Sequence, residues 1–241
     1  MTSPACARDL GILRGRSFCV YTHRMALHKD RILYVDDDIL IVNKLPHELA
    51  VAASGQGKLP LVDFLRKDYP GIRVLHRLDF GTSGVIAFAR NAEVVRRVRE
   101  SKFAGWVKTY HALVAGKMQQ RSGTITRKLP ARSGEVDVEA ITHYRTLLLS
   151  PDATYVEVRI DTGRKHQIRQ HFAMIGHPLL LDPLYGDKKK DKTFIRKYGY
   201  RRFFLHAHTL ELPHPMTGKV IRASAPLPQA FREAVDRLRA R

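Results

Sequence analysis

Short apolar runs, broken by glycine, proline and acidic turns, recur along most of this chain. Ile32–Val35 and residues 39–43 are two of them, separated by Asp36, Asp37 and Asp38. An acidic turn between β-branched segments predicts a hairpin. Leu61, Phe64 and Leu65 fall at helical spacing, predicting a short helix within residues 60–69 that stops before Pro70. Strands are expected at residues 74–75, 85–89 and 107–114. Alternating runs punctuated by Gly123, Gly134 and Pro151 predict more strands across residues 124–160. Asn91 is placed to cap a helix whose apolar stripe is Val94, Val95 and Val98, with Arg96, Arg97 and Arg99 off it. A helix over residues 165–175 would turn Ile168, Phe172 and Ile175 to the core and carry His166, Arg169 and Gln170 on a different, polar face. Residues 203–212 and 219–223 read as a strand pair, and residues 229–240 as an amphipathic, basic helix. Many strands with scattered helices and no regular βαβ alternation predict an α+β fold rather than a doubly wound sheet.

Residues 1–30 lack this periodicity and read as a flexible N-terminal leader before a body spanning residues 31–241. Met25 just precedes the regular pattern, so a start there is the alternative to Met1. The length of 241 residues suits one large domain or two closely packed subdomains, and a hydrophobic fraction of 44% supplies a sizeable core.

Charge changes the picture more than size does. With 42 Lys+Arg against 23 Asp+Glu, the formal net charge is +19. Such an excess repels itself and points to a polyanionic partner, nucleic acid first and an anionic membrane second. No apolar run is long enough to cross a bilayer, and Arg8, Arg14, Arg16 and Arg24 interrupt any signal-peptide core. The only cysteines, Cys6 and Cys19, lie in the leader, so the body can hold neither an internal disulfide nor a cysteine-based zinc site. A cytoplasmic, monomeric protein is expected, with nucleic acid as its partner and no membrane.

Four segments could carry chemistry. Residues 76–84 set Asp79 just past a short apolar run, ahead of Gly81, Thr82, Ser83 and Gly84, a composition that allows a tight loop close to a ligand. Residue types alone favour the blander reading, an aspartate closing its own turn. Residues 162–171 set Arg169 where a guanidinium could grip a carboxylate or phosphate, although a solvated basic face is the commoner case. Within residues 108–114, Tyr110 could stack on a base or simply pack at a core edge. Residues 185–202 interleave lysines and arginines with Tyr185, Phe194, Tyr198 and Tyr200, which suits phosphate contact plus stacking or else a solvated loop.

A metal site is not expected. His166 and His171 are spaced wrongly for one helical face, and no acidic partner is evident beside His206 and His208. Gly55-Gln56-Gly57 lacks the third glycine of a dinucleotide fingerprint, no Walker-type loop occurs, and Ser83 lacks the hydrolase-elbow context, so no cofactor is implied.

Taken together, these segments resemble a known family. His76-Arg77-Leu78-Asp79-x-x-Thr82-Ser83-Gly84 is similar to the signature segment of the RluA family of pseudouridine synthases. Lys108-x-Tyr110-x-Ala112-Leu113-Val114, Gly163-Arg164-x-His166-Gln167-Ile168-Arg169-x-His171 and Ile175-Gly176-His177-Pro178 follow in that family's order. Leu205-His206-Ala207 and His214-Pro215-x-Thr217-Gly218 match as well, so the resemblance spans residues 32–228. Four or more motifs in order are far more specific than any one.

The resemblance implies a mixed, largely antiparallel central sheet flanked by helices, with two subdomains around a catalytic cleft. It implies an essential Asp79, a Tyr110 that packs on the target base and an Arg169 that pairs with the aspartate. Arg77 would fill the space of an extruded nucleotide, and Ile168 would line the pocket. With the charge pattern, it marks His76, Arg77, Thr82, Lys108, Arg164, Lys165, His166, Ile168, Lys188, Lys189 and Lys190 as the expected RNA-contacting residues. Converting uridine to pseudouridine breaks the N1–C1′ bond, turns the base and joins C5 to C1′; no atom is gained, so no cofactor is needed. Many relatives carry an S4 domain ahead of the catalytic body, whereas about 30 residues precede it here, so a stand-alone catalytic domain acting on rRNA or tRNA is expected. Lys165 and Leu181 also stand where threonine and glycine are usual, which bears on target choice rather than on chemistry. The rivals are a non-catalytic RNA-binding protein of the same fold and a hydrolase with an aspartate nucleophile.

Overall fold

The computed structural model describes residues 27–52, 59–131 and 136–240. Most of the expected leader and Gly134 therefore lie outside the described residues. Strands β1 (Ile32–Val35) and β2 (Ile39–Lys44) form the expected hairpin, its acidic turn closed by Asp36 Oδ1, which accepts from the N–H groups of Asp38 and Ile39. Helix α1 (Leu61–Leu65) is shorter than its apolar spacing suggests, and the chain beyond it unwinds into turns before Pro70. Strands β3 (Arg73–Val74) and β4 (Ser83–Ala89) come next, then α2 (Ala92–Glu100), capped by the Asn91 side chain, which accepts from Val94 N–H.

Strands β5 (Val107–Ala115), β6 (Ser122–Pro130), β7 (Asp137–Leu149) and β8 (Ala153–Ile160) fill the middle of the chain. Helix α3 (Gln167–Met174) begins after His166, and α4 (Lys188–Tyr198) occupies the stretch that reads as a charged loop. Strands β9 (Leu205–Pro213) and β10 (Val220–Ser224) and helix α5 (Gln229–Arg239) complete the order. All ten strands among the described residues belong to one sheet.

Strands β2 and β4 read as unbroken apolar runs because both of their faces are covered. Ile39, Ile41, Val85, Ala87 and Ala89 pack under Val94 and Val98 of α2, while Leu40, Val42, Ile86 and Phe88 point the other way, towards α1 and Phe172 of α3. Each of the valine, leucine, isoleucine and phenylalanine side chains, fully removed from water, contributes about 1.5–3 kcal/mol. A third cluster joins Leu113 and Tyr155 to Phe194 and Tyr198 of α4 and to Phe231 of α5.

At two segments the fold departs from the blander of the alternatives that the sequence leaves open. Helix α4 exists because Asp187 caps it, accepting from the N–H groups of Lys189 and Lys190, because Phe194 and Tyr198 are one turn apart and buried, and because Gly199 takes the left-handed φ of 80° that ends it. The lysines that dominate the segment mask this pattern. On α3, Arg169 is buried rather than solvated, because Asp182 and Tyr185 of the segment after the helix cover it, while Gln167 on the opposite face bonds β7.

Nearly all pairings are antiparallel, but β4 and β9 run parallel and meet only at Ser83 with His206 and Gly84 with Ala207. This short seam joins the β1-β2-β4 half of the sheet to the β9-β5-β8-β7-β6 half. Gly84 has φ +110°, and a Cβ there would lie 2.1 Å from the Ala207 carbonyl oxygen, so the seam requires glycine. The Ser83 hydroxyl donates to His206 Nδ1 at 2.8 Å, and His206 Nε2–H donates to the Ala225 carbonyl at 3.1 Å. Beside it the His111 ring lies 4.3 Å from that of His208, tilted by 50°, and bonds the Tyr155 hydroxyl through Nδ1. No helix among the described residues is long and apolar enough to cross a membrane.

These buried rings make stability depend on pH. Burial first, then neighbouring histidines, pulls His111 down to about 3, and burial pulls His206 down to about 4. Unfolded histidine titrates near about 6.5, so the unfolded chain takes up protons that the folded rings refuse. Stability is therefore complete above that value and falls with acidification, by up to about 2 kcal/mol per ring at about pH 5. Denaturant unfolding at neutral and mildly acidic pH should show this loss, and His206→Asn should flatten it; equal stability at both pH values would contradict it.

Candidate active site

Asp79 lies in the loop that enters β4 at the parallel seam, and its placement starts with Lys44. That side chain, at the end of β2, is fully buried, and its ammonium donates to the carbonyls of Leu45 at 3.0 Å, Phe80 at 3.3 Å and Thr82 at 2.6 Å. Burial pulls it down to about 8, against the opposing charges of Glu48 and Asp79. His47 donates its backbone N–H to the Phe80 carbonyl at 2.8 Å, and the Thr82 N–H donates to the Asp79 carbonyl at 3.0 Å. The turn at Asp79 is thus closed by its backbone carbonyl, and the carboxylate is directed to side chains from elsewhere in the chain. Gly81 admits Phe203 closely: a Cβ there would lie 2.1 Å from its ring.

The carboxylate that this loop presents is 30% exposed and meets two groups from the start of α3. Arg169 Nη1 donates to Asp79 Oδ2 at 3.2 Å, and His166 Nε2 lies 3.7 Å from Oδ1. The rest of the Arg169 fork is held from behind, with Nε and Nη2 donating to the two oxygens of Asp182 at 2.6 and 2.7 Å. Asp182 also accepts from the N–H groups of Leu184 and Tyr185. The guanidinium carbon lies 5.2 Å from the Tyr185 ring centre and 5.1 Å from that of Phe203, a cation flanked by two aromatic rings.

Burial disfavours the Arg169 charge, but the bonds and charge of Asp182, and then of Asp79, outweigh it and raise its pKa. Burial likewise pushes Asp182 up, yet the Arg169 and backbone hydrogen bonds prevail and hold it below the usual carboxylate range. The pair stays ionised. Tyr110 of β5 packs in the same core cluster as Leu78 and Ile168, and burial, then the Asp79 charge, pushes its phenol well up, so it stays neutral.

The other expected RNA-contacting residues divide by exposure. Arg77, Arg164, Lys165, Lys188, Lys189 and Lys190 are exposed. Lys108 is partly buried, its ammonium 5.4 Å from the Phe103 ring centre and 5.5 Å from that of Trp106. Thr82 is 2% exposed, and its carbonyl holds Lys44. His76 Nε2 accepts the Ala87 N–H at 3.1 Å while the ring meets Trp106 edge-on, and burial, then Lys108, pulls it down to about 3. Both shape the loop from inside in this conformation.

Lys44 and Asp182 escape the sequence reading of the site, and Tyr185 enters it only as one aromatic in a basic stretch. The available signals were a lysine closing the apolar run of β2 and an aspartate soon after α3; neither reveals a partner that only the fold supplies. Among the described residues, Asp36, Asp38 and His214 also gather ligand-type atoms within 4.8 Å of one another. His214 Nδ1 accepts from the N–H groups of Met216 and Thr217, so Nε2 carries the hydrogen and donates to Asp36 Oδ2 at 3.0 Å. That is a strut between the β1–β2 turn and the β9–β10 turn, with no ring lone pair left for a metal.

Residues 38–174 match the family model for RNA pseudouridylate synthases. The chain is 35% identical to ribosomal large subunit pseudouridine synthase C of Salmonella typhimurium over 91% of its own length and 73% of that protein. It is 32% identical to synthase D of Pasteurella multocida over 87% and 71%. Human RNA pseudouridylate synthase domain containing 4 shares the fold with a TM-score of 0.74 at 23% identity, covering 87% of this chain and 93% of that one. Human RNA pseudouridylate synthase domain containing 1 gives a TM-score of 0.67 at 26% identity, covering 87% and 94%.

The class is therefore an RNA-modifying isomerase built on a largely antiparallel α+β sheet. The chain belongs to the RNA pseudouridylate synthase family, in the RluA group that its motifs indicate, and it converts uridine to pseudouridine in RNA.

The geometry makes Asp182 the support on which Arg169 rests. Asp182→Ala should destabilise the fold by about 3–5 kcal/mol, the cost of leaving a buried guanidinium without its partner. Denaturant unfolding measures this, and a loss within about 0.5 kcal/mol, typical of surface changes, would contradict it.

Proposed function

We propose that this protein isomerises a uridine of large-subunit ribosomal RNA, with Asp79 as the essential carboxylate, Tyr110 as the surface on which the target base packs and Arg169 as the partner that orients Asp79. The observation that carries the reading is Asp79 itself, partly exposed at the sheet seam and gripped from behind by a buried guanidinium. An ionised, fixed carboxylate is what attack on C1′, or removal of the C2′ proton, requires. The target class rests on the relatives named as ribosomal large subunit synthases C and D.

The uridine must leave its stack to reach Asp79, at a cost of a few kcal/mol that is offset by packing on Tyr110 and by phosphate contacts. Arg77 is the side chain to fill the vacated space. The exposed cations Arg164, Lys165, Lys188, Lys189 and Lys190 supply the phosphate contacts, with Lys108 and His166 at the flanks and Ile168 in the pocket wall. His76 and Thr82 serve by shaping the loop. The reaction gains no atom and needs no metal or cofactor, and the body formed by residues 31–241 acts as a monomer in the cytoplasm.

Asp79→Asn keeps the shape of the side chain and removes its charge. Isomerisation of large-subunit ribosomal RNA should fall by at least about 1,000-fold, while RNA affinity stays close to wild type. Pseudouridine mapping and a binding titration read the two arms. Full activity in the variant would overturn the assignment, and release of free uracil by the wild type would favour a hydrolase instead.

A further inference from the structure

Breaking N1–C1′ leaves its electron pair on N1; when C5 bonds C1′ through the C5=C6 pair, the N1 pair forms N1=C6, and C5 carries both its hydrogen and the sugar. The product forms only when C5 loses its proton and N1 gains one, a shift across N1–C6–C5. Asp79, Tyr110 and Arg169 provide no dedicated group for this step. The Tyr110 phenol is held far above its ordinary pKa by burial and the Asp79 charge, Lys44 is engaged by three carbonyls, and Arg169 stays charged.

We propose that His166 performs this proton shift, Nε2 taking the proton from C5 and returning it to N1. Three observations carry it. Nε2 lies 3.7 Å from Asp79 Oδ1, where the sugar carbon must sit, and the side chain is 16% exposed. Nδ1 lies 3.1 Å from the Tyr185 hydroxyl, and the two rings meet edge-on at 5.7 Å, which fixes the imidazole plane. With Nδ1–H donated to that hydroxyl, Nε2 presents its lone pair to the site. Finally, His166 has φ 52°, a left-handed backbone rare for a residue with a side chain. Such strain persists where the surroundings enforce it, and it clusters at functional sites.

The electrostatics agree. The groups facing the ring are Asp79 from the loop before β4, Arg169 on α3, Lys165 beside it in sequence, and Asp182 and Tyr185 from the segment after α3. Burial is the largest influence and lowers the pKa; Asp79 opposes it, while Arg169 and Lys165 reinforce it. The ring is a neutral base that becomes an imidazolium beside a carboxylate. One imidazole then serves as base at C5 and acid at N1, so that no net proton is consumed.

The proposal rests on the pseudouridine synthase reading of Asp79, and its test separates the two. Full-length protein is assayed in single turnover on large-subunit ribosomal RNA transcribed with ordinary or C5-deuterated uridine. His166→Asn is the first variant, because asparagine tolerates left-handed backbone; His166→Gln is the second, should the first fail to fold. The rate should fall by about 100-fold or more, far beyond any loss of RNA affinity. A C5 deuterium isotope effect larger than the wild-type value should appear, and added imidazole should restore part of the rate. Slowing without that isotope effect, or a rate close to wild type, would overturn the proposal and return the C5 proton to Asp79. An active Asp79→Asn control would instead defeat the reading of the site itself.

Discussion

The site is organised around one buried cation that serves two anions. A guanidinium removed from water is tolerable only with a well-placed partner, and Asp182, itself fully buried, provides it through two parallel hydrogen bonds. That leaves one nitrogen of the fork aimed at Asp79. Because the planar fork cannot rotate without breaking the Asp182 bonds, the direction of the third bond is set by the fold rather than by Asp79. Helix α3, the segment that follows it and the loop before β4 are bound to one another through this side chain.

The opposing constraint comes from the sheet. Strands β4 and β9 are parallel neighbours over only two residue pairs, with Gly84 allowing the backbones to touch. The Asp79 loop ends where that seam begins, so it stands at the line between the two halves of the sheet. Lys44 ties the loop to β2, and Phe203, just ahead of β9, fills the space beside Gly81 and flanks Arg169. The same few side chains therefore position the carboxylate and close the core beneath it.

Much of this is legible in the sequence, and the reasons for the rest are physical. Hydrophobic runs, the Asn91 cap and the acidic hairpin turn identify the strands and α2, because local pattern and tertiary burial agree there. Helix α4 is hidden by six lysine and arginine side chains over an apolar stripe of few residues. Asp79 by residue type suggests a turn aspartate, but only its backbone carbonyl closes the turn while its carboxylate meets Arg169; that role emerges only from the order of the other motifs. Arg169 reads as solvated because helical spacing cannot reveal that residues 181–186 cover its face. Lys44 and Asp182 matter through partners up to 38 residues away, and no local pattern encodes such a contact.

The central claim is that the geometry of the Arg169 fork, more than its charge, makes Asp79 competent. Arg169→Lys tests it most directly, because lysine keeps the positive charge but cannot bond Asp182 through two nitrogens while reaching Asp79 with a third. The account predicts a folded protein with nearly unchanged RNA affinity and a single-turnover rate on large-subunit ribosomal RNA lowered by about 100-fold, the scale of loss from misplacing a reacting group by about 1 Å. A rate equal to wild type in a folded Arg169→Lys protein would contradict it.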